Sequence, residues 1–434
     1  MTNWHYLFHA YGQATDTPLH LDNLRSPSHA LRDKAADHLF GAVLHQGTIY
    51  TVTPVAVKYV LFILNDPALR EDMHDYRHSQ VKKRLSQVNQ KLAQAGTSDV
   101  IKTSLQRQRT SLEKQLTRRH TETTLDMALS FLGEVGLSLS YCKAPTEIPN
   151  ISPKEIANFF DTTPEDSKEF WWSPMNADLM TLAIHELFGM ADNAITALIP
   201  FIQDANPIIA KEAINATANW AKSAGSKALT LAADAFNSRL INSTTRDEKA
   251  SLVLALGQTG ADVSVYLDDT DIAIQACAAI FVNTEQATSI LIAALREPRN
   301  ADKWFKDTPG FFQSHIRFVL LEKLLQRDIT LEKILPAALA MIAASEMYTS
   351  QSDYGPILKL AFPDAVFKPG ERPPLPTQLT TEQKAVLEAL LANDAVWGVK
   401  DGNGKLEKMK VGLPESREEV REYVRTTTKS GVEC

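Results

Sequence analysis

Residues 246–295, "RDEKASLVLALGQTGADVSVYLDDTDIAIQACAAIFVNTEQATSILIAAL", are short apolar runs broken by "QTGAD", "DDTD" and "NTEQ". Each run puts small Ala residues on one side of a helix and large aliphatics on the other. Small residues let neighbouring helices approach closely, and the aliphatics fill the space between layers. A helix pair of this kind cannot bury its apolar face alone, so it must stack on further pairs. Glycine is scarce, 18 in 434 residues, against a usual ~7%. Few tight turns are therefore available for a many-stranded sheet. The expected class is all-α.

The N-terminal stretch repeats the unit. In "SHALRDKAADHLFGAVL", residues 28–44, Leu31, Ala35, Leu39 and Ala42 share a helical face. After the polar connector "HQGTIYTV", Val57, Val60, Leu61 and Leu64 fall at helical spacing although the run is rich in β-formers. Thr53 can cap this second helix, with Pro54 at its first position.

"DDTDIAIQACAAI" resembles HEAT repeats of the phycobilisome-lyase-like kind, in which a turn Asp precedes a Val-Arg pair and two small residues follow. Asp271, Ile274, Ala278 and Ala279 fit, while Gln275 stands in the Arg position. Leu31, Arg32, Ala35 and Ala36 fit more fully. The "HQGT-Y" connector, with "NDAVWG", "DGNG" and "GLPESREEV" near the C-terminus, is similar to a loose group of bacterial HEAT-repeat proteins. The resemblance implies a HEAT-like α-solenoid of irregular helix pairs that serves as a binding surface. It does not by itself imply an activity.

Four segments are expected: a HEAT-like repeat over 1–66, a basic helical hairpin inserted over 67–124, the solenoid over 125–365, and a C-terminal part over 366–434. The insertion carries Val81, Leu85, Val88 and Leu92 at 4-3-4 spacing and a looser Leu105, Leu112, Leu116 set, with "AQAGTSD" as the turn of a coiled-coil hairpin. After the linker "FKPGERPPLPTQ", Thr380 with Gln383 and Ser416 with Glu419 have capping-box spacing. "WGVKDGNGKLEKMKV" reads as a small β-hairpin turning at Asn403-Gly404.

Charge is uneven. The net is −7, yet residues 77–120 hold eleven Lys or Arg against Asp99 and Glu113. That segment is nine charges positive, and the rest of the chain is sixteen negative. Lys82, Lys83, Arg84, Arg107, Arg109, Arg118 and Arg119 read either as the solvated exterior of a coiled coil or as contacts for an acidic protein surface or, as a second partner class, for nucleic acid phosphates. No aromatics interleave them, so stacking on single strands is not indicated.

No phosphate-binding Gly loop, nucleophile elbow, His-Glu-x-x-His or Cys-x-x-Cys is present. "DGNGKLEK" fails as a calcium loop because Leu406 stands where Gly is required. "IHELF" pairs His185 with Glu186 and no second His at metal spacing. His45, Gln46 and Tyr50 form a candidate patch on the connector, where capping of helix ends is the competing role. Trp171 and Trp172, beside Phe159, Phe160 and Phe170, read either as interface aromatics or as a plug between irregular repeats. No catalytic, cofactor or metal set is assigned from these patterns.

Cys142, Cys277 and Cys434 are far apart and odd in number, which fits a reducing compartment and a cytoplasmic location. The N-terminus lacks a signal-peptide pattern, and no membrane association is expected. The sequence thus points to a non-enzymatic α-solenoid that binds a protein partner, such as a toxin-neutralising (immunity) or regulatory adaptor. The rival readings are a nucleic-acid-binding HEAT-like protein and an enzyme on a HEAT-like scaffold, such as a DNA-base glycosylase or a lyase.

Overall fold

The computed structural model describes residues 2–93, 123–368, 370–398 and 402–429, together with 102, 105, 106, 108–110, 112 and 113. The fold is all-α apart from one two-stranded sheet among the described residues. It divides into two compact units, one of residues 1–242 with 258–260, the other of 243–257 with 261–434.

The first unit opens with the strand pair β1 (Phe8–His9) and β2 (Gly12–Gln13). Its first helices are α1 (Thr17–Asn23), α2 (His29–His38) and α3 (Thr53–Ile63). Helix α4 (His74–Ala93) begins the basic segment, and α5 (Thr124–Ser140) follows it. Then come α6 (Pro153–Thr162), α7 (Lys168–Trp171), α8 (Pro174–Ile202), α9 (Pro207–Ala221) and α10 (Ser226–Ile241). Of the stripe read from sequence on α3, Val57, Val60 and Leu64 are in the core and Leu61 is half-buried, while Phe62 on the opposite face is exposed. On α2, Ala35 is buried as expected, but Leu31 is partly exposed. Arg32 takes the inward place, donating to Ser26 O at 2.6 Å and to Glu71 at 2.7 Å. The helix then widens into a π-turn over Leu39–Val43, closed by Leu44 N–H to Leu39 O.

Helix α9 packs along α5 and α8. The approach to α5 is close because Gly133 and Gly136 face it. Trp220 is fully buried there and donates its indole N–H to Leu132 O at 2.9 Å. Asn219 donates to Gly133 O at 3.0 Å. A methyl added at Gly136 would stand 2.8 Å from the Trp220 ring. Helix α8 has the length and apolar character to cross a membrane, which the sequence reading did not anticipate. Here its buried face packs against α3, α9 and α10.

The second unit contains α11 (Arg246–Gln258), most of which belongs to it, then α12 (Ile272–Ala279), α13 (Glu285–Leu295) and α14 (Pro298–Ala301). It continues with α15 (Ile316–Leu325), α16 (Leu331–Ala344), α17 (Ser350–Asp353) and α18 (Gly355–Ala361). It ends with α19 (Thr381–Ala392), α20 (Gly402–Lys410) and α21 (Arg417–Lys429). Asp271 caps α12 by accepting Ala273 N–H at 3.0 Å, and its other oxygen pairs with Arg246. Gln275, in the Arg position of the repeat pattern, donates to Asp269 O at 2.6 Å. Arg327 closes the other end of α12 by donating to Ala279 O and, at 3.0 Å, to Val282 O. Arg317 is buried between Asp302 and Asp353. A buried guanidinium with two carboxylates keeps its charge because both faces are paired.

Two end signals hold. Thr380 and Gln383 form a reciprocal capping box on α19, and Ser416 accepts Glu419 N–H at the start of α21. The expected C-terminal β-hairpin is wrong. Residues 402–410 are helical, with Lys408 buried, its ammonium 4.0 Å from the Trp397 ring centroid and donating to Val396 O. The run Lys-Leu-Glu-Lys-Met-Lys after Asn403-Gly404 holds strong helix formers and no β-branched residue, so helix propensity outweighs the turn signal. The strand pair lies instead at the N-terminus.

Overpacking a close helix contact costs ~1–3 kcal/mol, whereas Gly to Ala in an open helical position adds up to ~1 kcal/mol of stability. Gly136→Ala is therefore expected to lower the urea midpoint, and Gly189→Ala on α8, where nothing lies within 4 Å, to hold or raise it. Equal midpoints for both variants would refute the α5–α9 packing described.

Candidate functional site

The first unit gathers side chains that lie far apart in sequence around the β1–β2 hairpin. Burial of Phe8 anchors the hairpin: its N–H donates to Thr51 Oγ1 at 2.8 Å and its ring packs on Tyr50, Phe160, Phe170 and Trp171. Successive strand residues face opposite ways, so His9 points to the other side. There it meets Asp16, just before α1, and His38, the last residue of α2. His9 Nε2 lies 3.0 Å from Asp16 Oδ1, and His38 Nδ1 lies 3.9 Å from Asp16 Oδ2. One donor atom from each of the three falls within 4.8 Å of the others.

The tautomers follow from the partners. His9 Nδ1 accepts the Tyr11 amide at 3.1 Å, so Nε2 carries the proton and donates it to Asp16. His38 Nε2 is 2.9 Å from the Thr17 hydroxyl. His20 stacks on His38 with centroids 4.2 Å apart, and its Nδ1 is buried without a hydrogen-bond partner. Tyr11 packs edge-on to both His9 and His45, and its hydroxyl is 3.4 Å from His45 Nδ1. Four imidazoles and one phenol thus form a continuous run of rings.

Burial pushes the His38 imidazole down to about 4, with His20 and His9 adding repulsion and Asp16 opposing it. Burial would raise the Asp16 carboxyl, but the His9 hydrogen bond and the neighbouring imidazoles hold it below the usual range. The cluster at neutral pH is accordingly a neutral His38 beside an ionised Asp16.

The connector residues divide between roles. His45 Nδ1 donates to Gly41 O at 3.0 Å and so closes the widened end of α2. Gln46 is exposed with a left-handed backbone, φ 52°. Tyr50 is buried against Phe8, and that burial pushes its phenol up. Thr53 accepts Tyr50 N–H and donates to Val43 O at 2.8 Å, so its hydroxyl ties the connector to the end of α2 instead of capping α3, whose N-cap is Val52 and whose first residue is Thr53 itself.

Phe159, Phe160 and Phe170 are buried and Trp171 half-buried in the aromatic packing under Phe8, while Trp172 is 86% exposed. Lys82, Lys83 and Arg84 are exposed on α4. Val81, Leu85 and Leu92 are half-buried and Val88 buried, so the 4-3-4 stripe is the inward face. Arg109 is exposed and pairs with Glu113 at 2.8 Å. Arg107, Arg118, Arg119 and the expected turn beyond Ala93 lie outside the described residues. His185 is exposed, and Glu186 pairs with Lys58.

Sequence spacing missed His9, Asp16, Tyr11, His20 and His38. One signal was available: six of the eleven histidines fall within the first 45 residues. The sequence matches no protein-family model, and no curated protein matches it.

His38 titrates differently in the two states. The unfolded imidazole protonates near 6.5 and the folded one near 4. Between these values the unfolded chain takes up a proton that the folded chain refuses, so stability falls as pH drops through that window, by up to ~3 kcal/mol. Asp16 contributes its own loss only below 3.8. Urea midpoints measured from pH 7 to pH 4.5 are expected to fall more steeply for the natural chain than for His38→Gln. Parallel curves would show that His38 is not the group responsible.

Proposed function

We propose that this chain is an α-helical scaffold that binds an acidic protein surface through the cationic face of α4. The observation that carries the reading is the arrangement on that helix. Lys82, Lys83 and Arg84 are consecutive and exposed, while Val81, Leu85, Val88 and Leu92 face inward. Three successive residues cover about 200° of a helix surface, so these cations present a broad positive front. A HEAT-like stacking of helix pairs belongs to the same reading. The packing of α8 with α9 and α10, of α12 with α13, and of α13 with α15 and α16 supports it. A regulatory or toxin-neutralising adaptor is the form of scaffold that the sequence resemblance suggests.

An acidic protein is favoured over a single-stranded nucleic acid by the lack of aromatic side chains among the basic residues of the segment. Attraction between exposed charges is screened over ~8–10 Å at physiological salt. The natural chain is expected to retain an acidic host protein at low salt and release it as salt rises. The triple variant Lys82→Glu, Lys83→Glu, Arg84→Glu is expected to retain roughly 3- to 150-fold less, each of three lost surface charge contacts being worth ~0.2–1 kcal/mol. Capture from host extract with mass spectrometry checks this. An identical captured set for both proteins, or retention abolished by nuclease, would overturn the proposal.

A further inference from the structure

We propose that His9, Asp16 and His38 form a binding site for a divalent transition metal of the zinc type. The inference is independent of the scaffold reading. Two imidazoles and one carboxylate are a donor set suited to such ions. Asp16 offers one oxygen toward each imidazole, Oδ1 at 3.0 Å from His9 Nε2 and Oδ2 at 3.9 Å from His38 Nδ1. Ligand bonds of ~2.0–2.2 Å place tetrahedral donors ~3.3–3.5 Å apart. The observed donor separations, none above 4.8 Å, surround that value.

The surroundings are those of a held site rather than a chance meeting of surface groups. The side chains of His9 and His38 are 6% and 7% exposed, while Asp16 is 53% exposed and leaves the site open to solvent on its side. His38 has an outer partner, the Thr17 hydroxyl at 2.9 Å from Nε2. With Nε2–H donated to that hydroxyl, the Nδ1 lone pair faces the Asp16 carboxylate, an arrangement that a cation between them would relieve. Metal-bound histidines usually make such an outer hydrogen bond. The flat stack of His20 on His38 fixes the plane of the ring, and the Nδ1 of His20 is a buried polar atom without a hydrogen-bond partner among the described residues. The donors come from three separate elements, β1, the residue before α1 and the end of α2, so the ion would tie the hairpin to both helices.

Binding involves one proton. In the structure His9 Nε2–H donates to Asp16 and Nδ1 accepts the Tyr11 amide. A metal at Nε2 displaces that proton. The proton moves to Nδ1, the other neutral tautomer, where it turns an acceptor into a donor and opens the Tyr11 contact. Metal binding is thereby coupled to the turn between β1 and β2.

The test uses the full chain stripped with chelator and titrated with Co2+ and Zn2+. Expected are saturation at one ion per chain, visible ligand-field absorption from bound Co2+, and displacement of Co2+ by Zn2+. The Tyr11 amide resonance should shift in step with saturation. Asp16→Asn, a change of the same size at a half-exposed position, is expected to weaken binding by more than the ~10–100-fold typical of losing an outer-shell partner. His9→Gln and His38→Gln are expected to do the same, and Thr17→Ala to fall within that range. His185→Gln and His29→Gln serve as controls and should bind as the natural chain does. Absence of saturable binding would overturn the proposal. So would affinity unchanged by Asp16→Asn, or loss of binding in the His185 or His29 controls, either of which would place the ion elsewhere.

Discussion

Burial of the Phe8 ring is the contact on which the N-terminal unit depends. A phenylalanine taken wholly out of water contributes ~1.5–3 kcal/mol, and Phe8 has no exposed surface. Its backbone is fixed as firmly as its ring. Thr51 Oγ1 accepts its N–H at 2.8 Å, and its carbonyl accepts the Val52 amide at 3.3 Å. Those bonds join the first strand to the connector after α2. The side chains that surround the ring come from residues 50, 160, 170 and 171, so one residue draws together the connector and two later helices. Because neighbouring strand residues point in opposite directions, the same burial determines where His9 goes.

The helical architecture was legible because it rests on local patterns. Val57, Val60 and Leu64 repeat at helical spacing and are buried, and the capping box at Thr380 needs only four residues to declare itself. Leu31 and Arg32 show where such patterns stop. Periodicity favours the leucine for the core, yet Glu71 and the Ser26 carbonyl lie where the guanidinium can reach them, and the arginine is the fully buried residue. The segment after Asn403-Gly404 failed for a different reason. There the turn dipeptide is outweighed by the helix-forming run that follows it, and Trp397 supplies a face over which Lys408 can be buried.

The histidine cluster was illegible for a geometric reason. His9 sits on a two-residue strand, Asp16 immediately precedes α1, and His38 ends α2. No spacing rule links these positions, since a strand, a turn and a helix lie between them. The aromatic segment was half legible. Its residue types announced either a plug or an interface, and the structure divides it within one dipeptide: Trp171 packs on Phe8 while Trp172 stands in solvent. Adjacent identical residues receive opposite environments because the short helix α7 ends between them.

The π-turn at Leu39–Val43 behaves as a gear in the chain. One residue more than an α-helical turn is accommodated there, and the bond from Leu44 N–H to Leu39 O spans the enlarged ring. Each residue of a helix advances its neighbours by about 100°. His38 before the turn faces Asp16, and His45 after it reaches back to Gly41. Both orientations are met because the extra residue absorbs the angular difference between them. In this stretch length is therefore converted into rotation. Removal of a single residue would leave α2 and α3 intact as helices but would turn the connector by roughly a quarter of a revolution, carrying Thr51 away from Phe8.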